Sequence, residues 1–168
     1  MSAAPLESIS VGVLVERSKA ESQWIDFLWR PKEVFVGVPE TPPWTILSEE
    51  DGRTVFYAGN AEIDLYRTET TNYRDNLATG EPRLWVVLRG TGSEPPYSVF
   101  TVTADPAEGE AMTEAGDDLV ESVPMPEPVQ EMLAAFVAAH HSERTFSKRK
   151  RDRTSKEAMA RRGGGDLT

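Results

Sequence analysis

The stretch "SISVGVLVER" sets Ile9, Val11, Val13 and Val15 at every second position, with Gly12 and Leu14 between them. Side chains alternate across a strand, so this spacing builds one continuous β-branched face that a helix would scatter around its axis. Such a strand needs neighbours to pair its backbone and a second layer to cover its apolar side.

Other segments repeat the pattern. "WIDFLWRPKEVFVGV" is rich in aromatic and β-branched residues. Pro31 brings no N–H to a ladder, so this strand is expected to bend there or to lie at a sheet edge. "RTVFYAGNAEIDLYRTE" reads as two strands, 54–58 and 62–68, closing at Gly59-Asn60, since both residues tolerate a positive φ. "RLWVVLRG" and "YSVFTVTAD" form a further expected hairpin across "GTGSEPP", and "DDLVESVPM" a last short strand. The acidic "DPAEGEAMTEAG" reads as an exposed loop or a single helical turn. In "PMPEPVQEMLAAFVAAHH", Val129, Met132, Leu133, Phe136 and Val137 follow the i, i+3, i+4 spacing of one helical stripe. Pro126 or Pro128 suits the first turn of that helix.

The expected fold is mainly β: a curved antiparallel sheet or small barrel of about six or seven strands, capped by a C-terminal helix. By analogy, this order of elements resembles the pleckstrin-homology-like superfold, an analogy that does not fix function. The expected organisation is a flexible N-terminus over residues 1–8, one globular domain over 9–141, and a basic, disordered tail over 142–168.

Charge divides at the same boundary. Residues 1–141 hold 9 Lys or Arg against 24 Asp or Glu, a net of −15; residues 142–168 hold 9 against 4, a net of +5. A body this acidic repels phosphate backbones, so nucleic-acid binding would fall to the tail alone and is the weaker alternative. In the tail, Lys148, Arg149, Lys150, Arg151 and Arg153 form the densest cluster and are candidates for contact with an acidic protein surface. With few large apolar residues beside them, here Phe146 and Met159, they lack the buried face of an interfacial helix. A span of about 20 apolar residues is missing, as are the regions of a secretory signal in "MSAAPLESIS", which together predict a cytoplasmic protein.

Chemistry-bearing motifs are sparse. The chain has no cysteine, which excludes thiolate metal sites and disulfides. Its two histidines, His140 and His141, are adjacent and point about 100° apart on a helix, unlike a chelating i, i+4 pair. The acidic runs do not follow the calcium-loop spacing, and neither "RGTGSEPP" nor "RRGGGDLT" has the context of a phosphate-binding loop. No metal, cofactor or catalytic set is therefore expected, and an enzyme is the less favoured reading. The aromatics Trp24, Trp29, Trp44, Trp85, Tyr57 and Tyr97 can serve as core plugs or as interface anchors. In "YRTETTNYRDN", Tyr66, Arg67, Tyr73 and Arg74 combine the residue types that protein interfaces enrich.

"VERSKAESQWIDFLWRP", "PETPPWTIL", "YRTETTNYRDNLATGEPRLWVVLR" and "HHSERTFSKRKRDR" together resemble a bacterial family of uncharacterised proteins. Some of its members carry the label molybdopterin-guanine dinucleotide biosynthesis protein A. The resemblance runs from about Ser10 to Arg153. It implies a genomic setting beside a TorD-like chaperone, a ferredoxin-like protein and the subunits of a molybdopterin-dependent formate dehydrogenase. That setting implies an accessory or maturation protein whose partners are formate dehydrogenase subunits or their maturation factors. Nucleotidyl transfer, the activity in the label, is the alternative. It calls for an N-terminal glycine-rich loop and magnesium-binding aspartates on an α/β sheet, whereas "VGVLVERSKAES" offers one glycine followed by acid.

Overall fold

A computed structural model, which describes residues 4–21, 23–24 and 26–141, turns the alternating stretch into strand β1, Glu7–Lys19. Ile9, Val11, Val13 and Val15 are all buried on its inner face. On the outer face the Phe35 ring lies over Gly12, and a Cβ built there would stand 2.3 Å from it. The strand starts earlier than the apolar pattern, because Leu6 N–H already donates to the Leu65 carbonyl.

Strand β2, Phe27–Val36, is an edge strand paired antiparallel with β1. Its register shifts where Val15 faces Pro31 and Leu14 faces Glu33. Lys32 is the extra residue of that bulge, so Pro31 marks both an edge and a bend. The bulge also turns Lys32 toward the buried Glu16 carboxylate, 4.0 Å away, which Arg30 meets at 3.3 Å.

The 53–68 region corrects the sequence reading. It forms one strand, β4, Arg53–Leu65, rather than two strands and a hairpin. Gly59 does adopt a positive φ of 137°, but Val13 faces Gly59 while Leu14 faces Tyr57, leaving Ala58 as a bulge residue. A bulge needs one such residue, a two-residue type I′ turn needs two. The long β1 pairs with β4 on both sides of the bulge, and this pairing keeps the strand running. The strand that precedes it, β3, Thr45–Glu50, was not foreseen. The sheet order is β2-β1-β4-β3.

A second sheet, in the order β6-β5-β7, contains the expected hairpin of β5, Arg83–Gly90, and β6, Tyr97–Thr103, with β7, Leu119–Pro124, on the other side. The fold is mainly β: among the described residues there are two open antiparallel sheets and no closed barrel. The sheets meet through β4 with β6 and β2 with β7. Between them lies one apolar core to which both sheets contribute. The C-terminal helix, residues 127–141 and here α3, adds Val129, Leu133 and Phe136 to it. Val137 packs alongside, whereas Met132 is 43% exposed. Covering a Phe and a Leu in this way contributes about 1.5–3 kcal/mol each from area alone.

Two further helices stand beside the core. Helix α1 is Thr70–Leu77, preceded by a 3-10 turn at Arg67–Glu69. Helix α2, Pro106–Ala115, is longer than the loop or single turn expected of its acidic sequence. Asp105 caps it by accepting from the Ala107 and Glu108 N–H groups, Pro106 opens the first turn, and Gly116 stops it at a φ of 80°. These are ordinary helix start and stop signals. Among the described residues, no helix is long and apolar enough to cross a membrane.

Candidate interaction surface

Helix α1 gathers the tyrosine and arginine candidates, but divides them between core and surface. Thr70, Tyr73 and Asn76 recur at every third position and face inward. Tyr73 is 1% exposed, packs edge-on against Phe136 at 6.1 Å, and accepts a hydrogen bond from the Tyr66 N–H at 3.0 Å. Tyr73 is therefore a core residue with one polar anchor, not a surface for direct contact with a partner. Burial above all, then the negative charges of Asp105, Glu69 and Glu108, push its phenol well above the ordinary range, against the Tyr66 N–H. Tyr66 is half-buried and shifted the same way, by desolvation first and then by Asp64 and Glu108.

Asn76 holds α1 to the second sheet. Its amide nitrogen donates to the Arg83 and Ala104 carbonyls at 2.8 and 3.0 Å, and its oxygen accepts from the Arg83 N–H at 3.0 Å. Asp105 ties α1 to α2, because the oxygen that caps α2 also accepts from Asn72 at 3.0 Å. Glu108 folds back onto Thr103 at 2.6 Å. A groove of about 500 Å³ runs between the two helices, lined by Tyr66, Glu69, Asn72, Asp105 and Glu108. Its carboxylates are occupied by the hydrogen bonds that fix the helices. Among the described residues, no group of three His, Asp or Glu is placed to hold a metal ion.

Arg67 and Arg74 are exposed. Arg74 reaches His141 Nε2 at 3.1 Å and Asp75 at 3.7 Å, and the other ring nitrogen of His141 meets Thr70 Oγ1 at 3.1 Å. The structure thus brings the arginine segment against the end of α3. Lys148, Arg149, Lys150, Arg151 and Arg153 lie outside the described residues.

The other aromatics form a cluster that the sequence left open between plug and anchor. Trp29 stacks on Phe56 at 5.8 Å and meets Trp44 and Tyr97 edge-on at 6.0 Å. Arg17 enters among them, its guanidinium 4.3 Å from the Phe27 ring centre and 5.3 Å from that of Phe56. Its Nε is buried with no hydrogen-bond partner among the described residues. Ring faces surround the cation, and one terminal nitrogen donates to Thr54 Oγ1 at 3.4 Å. Trp85 lies half-buried beside α2, where Gly109 leaves room for its indole: a Cβ there would sit 2.3 Å from the ring. Trp24, by contrast, is 84% exposed.

Sequence spacing gave no sign of Arg17, nor of Arg89, which pairs with both Asp118 oxygens at 3.0 Å and lies 3.5 Å over the Phe100 ring. The arginine hydrogen bond holds the Asp118 carboxyl below its usual range. Arg17 meets its rings through the pairing of β1 with β2 and β4, and Arg89 meets Phe100 and Asp118 across β5 and its neighbours.

No curated protein and no solved structure matches this chain. The model of a protein family of unknown function, DUF3305, matches residues 10–150, which take in both sheets, all three helices and the beginning of the basic tail. The chain belongs to the DUF3305 family.

Proposed function

We propose that this protein is a non-catalytic accessory factor of the cytoplasm that binds a protein partner during assembly of a molybdopterin-dependent formate dehydrogenase. The observation that carries the reading is a pair of exposed arginines, Arg67 and Arg74, on the α1 segment of a body whose net charge is acidic. The gene setting implied by the resemblance names the kind of partner, a formate dehydrogenase subunit or one of its maturation factors. Five cations over six tail positions steer the chain toward an acidic surface. Tyr66 supplies aromatic area beside the arginines.

The test is binding of the purified full-length chain to isolated formate dehydrogenase subunits, with and without their cofactor. Capture is expected to weaken several-fold between low and physiological salt, since the Debye length contracts to about 8 Å. It is expected to be abolished when Lys148, Arg149, Lys150, Arg151 and Arg153 are all changed to Glu. Absence of binding to any subunit or maturation factor of that enzyme overturns the reading, as does a shift of nucleic acid by the tail at physiological salt.

A further inference from the structure

We infer that the cleft between the C-terminal end of α1, the first turn of α2 and the start of β5 binds a small basic amino acid. Arg83 holds its carboxylate, and Trp85, Asp75 and Glu81 take its cationic groups. The inference goes beyond the docking role proposed above and uses none of the residues named there.

The cleft has a volume of about 730 Å³, the size of a small-molecule site. Strand β5 supplies one wall. Side chains alternate across a strand, so the burial of Leu84 in the core turns Arg83 and Trp85 together to the opposite face. Arg83 is fixed along one edge: its Nε donates to Ser122 Oγ at 3.1 Å, and one terminal nitrogen donates to the Ser122 carbonyl at 3.0 Å. Its other terminal nitrogen has no hydrogen-bond partner among the described residues. None of their carboxylates lies within ion-pair distance of this guanidinium. The Trp85 indole also lines the cleft and is closed on one side by α2, where a Cβ on Gly109 would stand 2.3 Å from it.

Asp75 and Glu81 line the same cleft and are exposed. Asp75 meets Arg74 at 3.7 Å, and neither acid reaches Arg83. Opposite charges that share a cleft without meeting leave room for a ligand that carries the complementary set. One cation and two anions call for one anion and two cations. A simple acid would bring its charge beside two carboxylates, and a simple amine would bring its charge beside a guanidinium. An amino acid with a basic side chain carries a carboxylate, an α-ammonium and a side-chain cation, and so answers both signs. Its carboxylate accepts from the open edge of Arg83 in a charge-assisted hydrogen bond. Its cations gain from the indole face and the rim carboxylates. The last turn of α1 lines the cleft as well, and its carbonyl dipoles favour a cation. The first turn of α2 does not compete with Arg83 for the carboxylate. Pro106 has no N–H, and the next two amides already donate to Asp105 at 2.9 and 3.4 Å.

The experiment titrates the full-length protein with L-arginine, L-lysine, L-glutamate and agmatine (arginine without its carboxylate) at constant ionic strength. It follows the Trp85 indole N–H by NMR, assigned by its loss in Trp85→Phe. Shifts that saturate below about 1 mM are expected for L-arginine or L-lysine, with none for L-glutamate. Agmatine should bind roughly tenfold more weakly than L-arginine. Arg83→Gln should bring L-arginine down to the level of agmatine. Glu81→Gln, at an exposed position, should weaken both about two- to fivefold. Should Arg83→Gln fail to fold, the agmatine comparison and Glu81→Gln carry the decision, because neither disturbs the Ser122 anchor. No saturable shift with either basic amino acid overturns the inference, as does agmatine or L-glutamate binding as tightly as L-arginine. An advantage of L-arginine over agmatine that survives Arg83→Gln overturns the role of Arg83.

Discussion

The two sides of this sandwich are fixed by different physics. Around Trp29 the stabilisation comes from rings: Phe27, Trp44, Phe56 and Tyr97 surround it, and an arginine is held by their faces. Around α1 it comes from directed polar bonds, with Asn76, Asp105 and Tyr73 each satisfied by named backbone groups. Aromatic packing tolerates small shifts, because contact area changes smoothly with position. A buried amide does not, because an unmade bond leaves a desolvated dipole behind. The side that carries the candidate surface is thus the side where position is most tightly specified.

The largest expected effect lies on the aromatic side. Phe56→Ala removes a buried ring shared by Trp29, Trp44 and Arg17, and should lower stability by about 3–5 kcal/mol in denaturant unfolding. Asn76→Ala should cost about 2–3 kcal/mol, since it orphans the Arg83 N–H and deprives two carbonyls of their donor. A cost above that of Phe56→Ala would reverse the ranking of the two sides. The smallest effect sharpens the contrast through pH. Tyr73→Phe should cost about 1 kcal/mol near neutrality, through the lost acceptor for Tyr66 N–H. The folded phenol titrates above its unfolded value of about 10, so the neutral form is the one the fold favours. Stability from Tyr73 is therefore intact below that value and declines as pH rises past it, where the unfolded chain ionises first. Thermal unfolding of the two proteins should converge above about pH 10; curves that stay parallel would assign Tyr73 to simple packing.

Much of this architecture was legible before any coordinates. Ile9 to Val15 declared an inner face, Pro31 an edge with a bend, and Val129, Leu133 and Phe136 the buried stripe of the last helix. Helix α1 escaped because two of its three inward positions, Thr70 and Asn76, are polar, and an apolar period does not register them. Helix α2 escaped for a different reason. Its start and stop signals were present, in Asp105-Pro106 and Gly116, but the acidic composition between them read as a solvated loop. Residue type alone did not tell the candidates apart by burial: Arg67 and Arg74 lie at the surface, while Tyr73 enters the core.

By itself the sequence determined the β class, the C-terminal helix and the opposition of charge between body and tail, because periodicity and net charge are properties of the chain order. Tertiary structure alone decided that residues 53–65 run as one bulged strand, since a thirteen-residue β1 had to be paired along its length. It also decided that His141 meets Arg74, sixty-seven positions away. Contacts of that kind depend on how layers pack, and no local spacing encodes them.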